Sequence, residues 1–70
     1  MTTEFNVPTI SCQHCVNAIT KEVQSVQGVH NVKVDLSAKR VSVQADESVP
    51  TQTLIEAIHE AGYDDVTVLN

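Results

Sequence analysis

Cys12-Gln13-His14-Cys15 is the segment of this 70-residue chain whose residue types and spacing could do chemistry. Two residues between the thiols let both sulfurs turn toward one point. Pro8 before the pair and an apolar stripe after it place the pair where a loop enters a helix. A helix start offers free N–H groups and the positive end of the peptide dipole, and both favour thiolate over thiol. Thiolates are soft ligands suited to Cu(I) and Zn(II). A structural zinc site wants four protein ligands, commonly with a second Cys or His pair, and no second pair exists here. Two sulfurs alone favour a metal content with two or three coordination positions, which suits Cu(I) best. A site that open can hand its metal on. The competing reading is a redox or incidental pair. A disulfide across so short a loop would constrain little of the unfolded chain, which makes the pair chemical rather than architectural. A thioredoxin-type redox pair expects a larger fold and a different strand order.

The elements that position the pair follow from hydrophobic periodicity. Phe5 and Val7 alternate with Glu4 and Asn6, which gives a strand near 3–7 that Pro8 ends. Val16, Ile19, Val23 and Val26 form one stripe on a helix over roughly 14–26, with Gly28 as its expected C-terminal cap. Val32, Val34 and Leu36, then Val41, Val43 and Ala45, alternate with polar residues as two strands of a hairpin turning around Ser37-Ala38-Lys39. Asp46-Glu47-Ser48 breaks the pattern. A second helix carries the stripe Leu54, Ile55, Ile58 and Ala61 and is closed by Gly62, before a last strand holding Val66 and Val68. The order βαββαβ is α+β and ferredoxin-like: a four-stranded antiparallel sheet with two helices on one face. That topology puts the loop before Cys12, the hairpin at 37–39 and the Gly62-Tyr63 turn at one end. The N-terminus, His30, the 46–50 linker and Asn70 belong at the other. Tyr63, Lys39 and Arg40 are therefore the expected neighbours of the cysteines.

Composition narrows the functions. Four Lys+Arg against nine Asp+Glu leave a net charge of −5, concentrated in the second half, and Phe5 and Tyr63 are the sole aromatics. Basic surface and base-stacking platforms are both missing, which excludes a nucleic-acid module. No apolar stretch is long enough to span a bilayer and no basic, then apolar, leader precedes the first strand, so a cytoplasmic protein without membrane insertion is expected. No nucleophile–base–orienter set is present, so an enzyme is not expected. The chain is too short for a second domain, and residues 1–70 are taken as one.

Pro8-Thr9-Ile10-Ser11-Cys12-Gln13-His14-Cys15-Val16, followed by helix, hairpin, helix and Ala61-Gly62-Tyr63-Asp64, resembles the heavy-metal-associated domain over essentially its whole length. Within that family the pattern is most similar to the small bacterial copper chaperones of the CopZ and Atx1-like kind. The resemblance implies that Cys12 and Cys15, at the cysteines of the family's Met-x-Cys-x-x-Cys, are Cu(I) ligands. Ile10 stands where the family has methionine and keeps an apolar anchor there. Tyr63 is placed by the resemblance as a shield over the site or a steering group for a thiolate, without ligating copper; from the residues alone it is equally a tyrosine closing the core. His14 is either a solvated side chain at the loop tip or an auxiliary third ligand or bridge. His59 is a surface residue, and His30 lies too far away to matter. Lys39-Arg40 is a solvated hairpin tip or a contact for an acidic partner. The implied partners are the metal-binding domains of a copper-transporting P-type ATPase and a copper-sensing repressor. An apo monomer is expected, with a metal-bridged homodimer as its loaded alternative. A zinc or mercury, Zn(II) or Hg(II), carrier, a module of a transport ATPase and a thiol–disulfide protein are the remaining readings. Met1 and a full six-element unit favour a free protein over a module.

Overall fold

A computed structural model describes residues 2–69. The elements are β1 (Thr2–Asn6), α1 (Gln13–Gln24), β2 (Val29–Asp35), β3 (Arg40–Ala45), α2 (Thr51–Glu60) and β4 (Thr67–Val68). The sheet order is β2-β3-β1-β4, every pair antiparallel. This is the expected ferredoxin-like arrangement. Alternation explains the layering. Phe5, Val41 and Val43 point into one cluster with Ile19 and Val23 of α1 and Leu54, Ala57 and Ile58 of α2, all buried. The intervening Glu4, Ser42 and Gln44 lie on the opposite, polar face of the sheet.

Two boundaries shift from the periodicity. β4 is only two residues long, with Val68 and Leu69 exposed; it pairs with Phe5 and Asn6, and its register carries Val66 past the end of β1. The first helix stops at Gln24, and Ser25 and Val26 continue as a tight turn in which the Val26 N–H bonds the Val23 carbonyl at 3.1 Å. Val26 thereby keeps its place against the core.

Gly28 is consequently not the cap of α1. It turns the chain into β2 with φ +97°, and an added Cβ would stand 2.5 Å from Cγ2 of Val49. Gly62 has a similar φ, +101°, yet a Cβ there would meet nothing within 4 Å. The two positions therefore separate backbone strain from overlap. Gly62→Ala is expected to cost about 1–2 kcal/mol, the left-handed penalty alone. Gly28→Ala adds the clash and should cost about 2–4 kcal/mol. Urea denaturation of both variants checks this, and equal losses would mean that Val49 yields freely.

At the same far end, β2 carries a bulge between Val29 and Asn31. It throws His30 outward, where its Nε2 lies 2.6 Å from Oδ1 of Asp46. The 46–50 linker and His30 thus lie away from the cysteines, as the topology requires. Asn70 lies outside the described residues.

Candidate metal centre

Cys12 is the N-cap of α1, with extended φ −156° and ψ 173°. Its carbonyl accepts from the Cys15 N–H at 3.1 Å and the Val16 N–H at 3.3 Å, which starts the helix. Ser, Thr, Asp or Asn at this position would turn a side-chain oxygen onto the first turn. Cys12 makes no such bond, so its sulfur stays exposed and is not tied to the backbone of the first turn. No acidic residue occupies the first turn, which leaves the positive helix end for the sulfurs. One turn on, Cys15 is half-buried and brings its Sγ to 3.5 Å from the Cys12 Sγ, with the Ser11 Oγ at 4.0 Å.

The loop delivering the pair is anchored just before it. Ile10 is fully buried and its N–H bonds the Val7 carbonyl at 3.2 Å. From the hairpin, the Lys39 carbonyl accepts the Val7 N–H at 2.8 Å, and the Lys39 Nζ donates to the Ile10 carbonyl at 2.6 Å. Beyond Ile10 the chain is exposed through His14.

The end of α2 supplies the third component. Ala61 is its C-cap; the Gly62 N–H bonds the His59 carbonyl at 2.8 Å and the Tyr63 N–H bonds the Ile58 carbonyl at 3.3 Å. This paired closure is the Schellman motif, and Gly62 supplies the left-handed residue it needs. The motif aims Tyr63 back over its helix and onto Cys15. The Tyr63 hydroxyl hydrogen-bonds the Cys15 sulfur and, with smaller help from the Ser11 backbone and from Cys12, lowers the Cys15 pKa from 9.0 to about 6 against the opposing effect of burial. The same bond, with burial and the nearby sulfur charges, raises Tyr63 to about 12. The site therefore sets Cys15, acidified by the Tyr63 phenol, beside the exposed Cys12. Two surface concavities, one beside Gly28 and Val49 and one beside Ala45 and Leu54, lie at the other end.

A family model described as the heavy-metal-associated domain matches residues 4–64. The chain belongs to the heavy-metal-associated domain family. It is 41% identical over 64 residues to the copper chaperone CopZ of Enterococcus hirae, covering 90% of this chain and 93% of that protein. It is 33% identical over 63 residues to copper-transporting ATPase 2 of Rhizobium meliloti, covering 90% of this chain but only 8% of that one. Among solved structures, oxidized MerP from Ralstonia metallidurans superposes with a TM-score of 0.91 at 28% identity, covering 100% of this chain and 97% of that chain.

In this heavy-metal-associated domain the sequence-derived residues separate clearly. Cys12, Cys15 and Tyr63 are brought together. His14 is exposed on α1, and no group of three or more His, Cys, Asp or Glu that could hold a metal forms among the described residues. His59 is exposed on α2, as expected. The hairpin pair departs from expectation: Lys39 is half-buried on the Ile10 carbonyl, and the Arg40 Nη1 lies 3.7 Å from Oε1 of Glu4. Neither is an idle tip. Sequence reasoning also missed Ser11, whose only signal was adjacency to Cys12. No helix of the described residues is long and apolar enough to cross a membrane.

Proposed function

We propose that this chain is a cytoplasmic copper(I) chaperone that binds one Cu(I) between Cys12 and Cys15 and passes it on by thiolate exchange. The observation that carries the reading is the pair of sulfurs 3.5 Å apart on an exposed helix start, with no group of three or more His, Cys, Asp or Glu gathered around a metal position among the described residues. Zn(II) prefers four ligands, whereas soft Cu(I) is satisfied by fewer. If a zinc–thiolate length of about 2.3 Å serves as a guide, a linear S–metal–S arrangement needs about 4.6 Å between sulfurs and a trigonal one about 4 Å. Cys12 is exposed and makes no cap bond, so it can swing outward to supply the opening.

Transfer needs no redox change. An incoming partner thiolate forms a third copper–sulfur bond, one of the two original bonds breaks, and a second partner thiolate displaces the other. Copper stays Cu(I) throughout, and each chain ends with the negative charge of the ligands it holds or has released. The protein is a carrier rather than an enzyme. Similarity both to a copper chaperone along its full length and to a short part of a copper-transporting ATPase supports a metal-binding domain of such an ATPase as recipient. A copper-sensing repressor with an exposed cysteine pair, or a second copy of this chain, offers the same acceptor chemistry.

Anaerobic titration of the reduced protein with Cu(I) against a chromogenic chelator, with Zn(II) in parallel, tests the reading. The expected result is about one tightly held Cu(I) per chain and much weaker zinc, each measured against its own competitor. Tight zinc with weak Cu(I) would make the chain a zinc carrier. Binding of neither would turn attention to its reduction potential.

A further inference from the structure

The contact between Lys39 and Ile10 joins residues 29 apart in sequence, and no general requirement of the fold explains it. Lys39 has φ +56°, the one described residue other than glycine in the left-handed region. Glycine, asparagine or aspartate would turn the hairpin there at less strain. The hairpin has its own local support in the Ala38 N–H, which bonds Oδ1 of Asp35 at 3.1 Å. A strained, half-buried lysine is therefore kept at a position where turn chemistry alone would favour another residue. Its side chain does one visible thing: the Nζ donates to the Ile10 carbonyl at 2.6 Å.

That carbonyl belongs to the peptide unit joining Ile10 to Ser11. A peptide unit is planar, so holding its oxygen fixes the direction of the N–H at its other end. That N–H is the Ser11 amide, whose backbone group interacts with the Cys15 sulfur. The next residue is Cys12. Behind the plane, Ile10 is clamped by its buried side chain and by its N–H on Val7. Ahead of it, Ser11 and Cys12 are exposed.

We infer that Lys39 is a positioning residue for the cysteine pair, fixing the Ile10–Ser11 peptide plane from which Cys12 is launched so that both sulfurs are held ready for metal. This rests on the proposed Cu(I) site for its effect on metal, but not for its effect on the loop. Preorganisation of this kind acts mainly on how fast a bound metal is lost. The lysine needs no contact with the metal.

Three variants test it. Lys39→Met keeps the apolar stem and loses the donor, Lys39→Arg keeps a cationic donor, and Lys39→Gly loses the donor while relieving the positive φ. Amide hydrogen exchange and nitrogen relaxation at Thr9–Gln13 are read on the reduced, metal-free protein. Release of Cu(I) to a chelator is read by stopped flow, and thermal midpoints are recorded. In Lys39→Met and Lys39→Gly the Ser11 and Cys12 amides should exchange roughly three- to tenfold faster, and Cu(I) should leave faster by a similar factor. Lys39→Arg should stay close to wild type in both. The glycine variant should show this loosening without a lower thermal midpoint than Lys39→Met, which separates local positioning from global stability. Wild-type exchange at residues 9–13 in both donor-less variants would overturn the inference, as would loosening that spreads evenly over the sheet. If the wild-type protein fails to bind Cu(I), the copper reading fails while the exchange data still decide the role of Lys39.

Discussion

Cys12→Ser is expected to abolish tight Cu(I) binding and at the same time to make the metal-free protein more stable. The first half follows from chemistry: a serine hydroxyl is neither soft nor ionised at neutral pH, so one of the two proposed ligands disappears. Loss of a mere outer-shell hydrogen bond costs a metal site roughly 10–100-fold in affinity, and loss of half the ligand set should exceed that. The second half follows from position. Residue 12 is an N-cap with extended backbone and no side-chain bond to the first turn. Serine is among the preferred residues there and can accept from the free N–H groups, a gain of about 1 kcal/mol. In a domain this small that is a rise of about 4–8 °C in thermal midpoint. Cys15→Ser should lose copper equally but without the gain, because residue 15 is inside the first turn and packed against the core. Chelator competition and thermal melts on both variants check this. Wild-type Cu(I) affinity in either one would remove that cysteine from the site. An unchanged or lowered midpoint in Cys12→Ser would show that the cysteine already serves as a cap.

A second large effect lies in the proton chemistry of Cys15. In the reduced, metal-free protein one thiolate should appear with a midpoint near pH 6, followed by its ultraviolet absorbance. Tyr63→Phe should move that midpoint upward, since the phenol hydrogen bond is the largest cause of the lowering, and should leave a smaller depression from the Ser11 and Cys12 groups. The sign for stability follows. The folded state depresses this pKa below its ordinary 9.0, so the associated stability is fully present above pH 9 and declines as pH falls through about 6. Tyr63 is the mirror case: its folded pKa is raised to about 12, so the same bond is lost as pH climbs from 10 past 12. Between pH 6 and 9 the wild type should therefore gain stability relative to Tyr63→Phe as pH rises, and denaturation at the two ends of that range measures it. On the proposed reading, Cu(I) capture benefits as well, because a proton leaves the acidified Cys15 more easily. A single thiolate step near pH 9 in the wild type, or a midpoint that ignores Tyr63→Phe, would refute the hydrogen bond.

The architecture was legible from the sequence because its signals are periodic and local. Phe5 with Val7, the Val16–Val26 stripe and the two alternating strands each name their own buried face. The Cys-x-x-Cys motif and Gly62-Tyr63 were legible for the same reason, since each depends on a few neighbouring residues. What escaped depends on distance. Gly28 was assigned to the helix before it, but its conformation is needed for a turn and for Val49, 21 residues later. Ala57 is too small to mark a stripe, yet it is buried on α2. Lys39 looked like a hairpin charge because nothing local announces that its ammonium will cross to Ile10. Arg40 gives the same local signal, and Glu4 of β1, which it approaches, is likewise distant in sequence. Short β4 was over-extended because alternation in Val66 and Val68 says nothing about how much partner strand is left to pair.

The Schellman closure of α2 has one more implication, which concerns how such a protein can change. The position of residue 63 is set by main-chain bonds to Ile58 and His59 and by the freedom of Gly62, none of which involves what residue 63 carries beyond its Cα. Its side chain can be exchanged without redrawing the backbone that aims it. Residue 63 is thus an adjustable slot facing the cysteine pair. A lineage, or a designer, can retune the proton affinity of Cys15 there in a single substitution while the fold and both cysteines stay where they are.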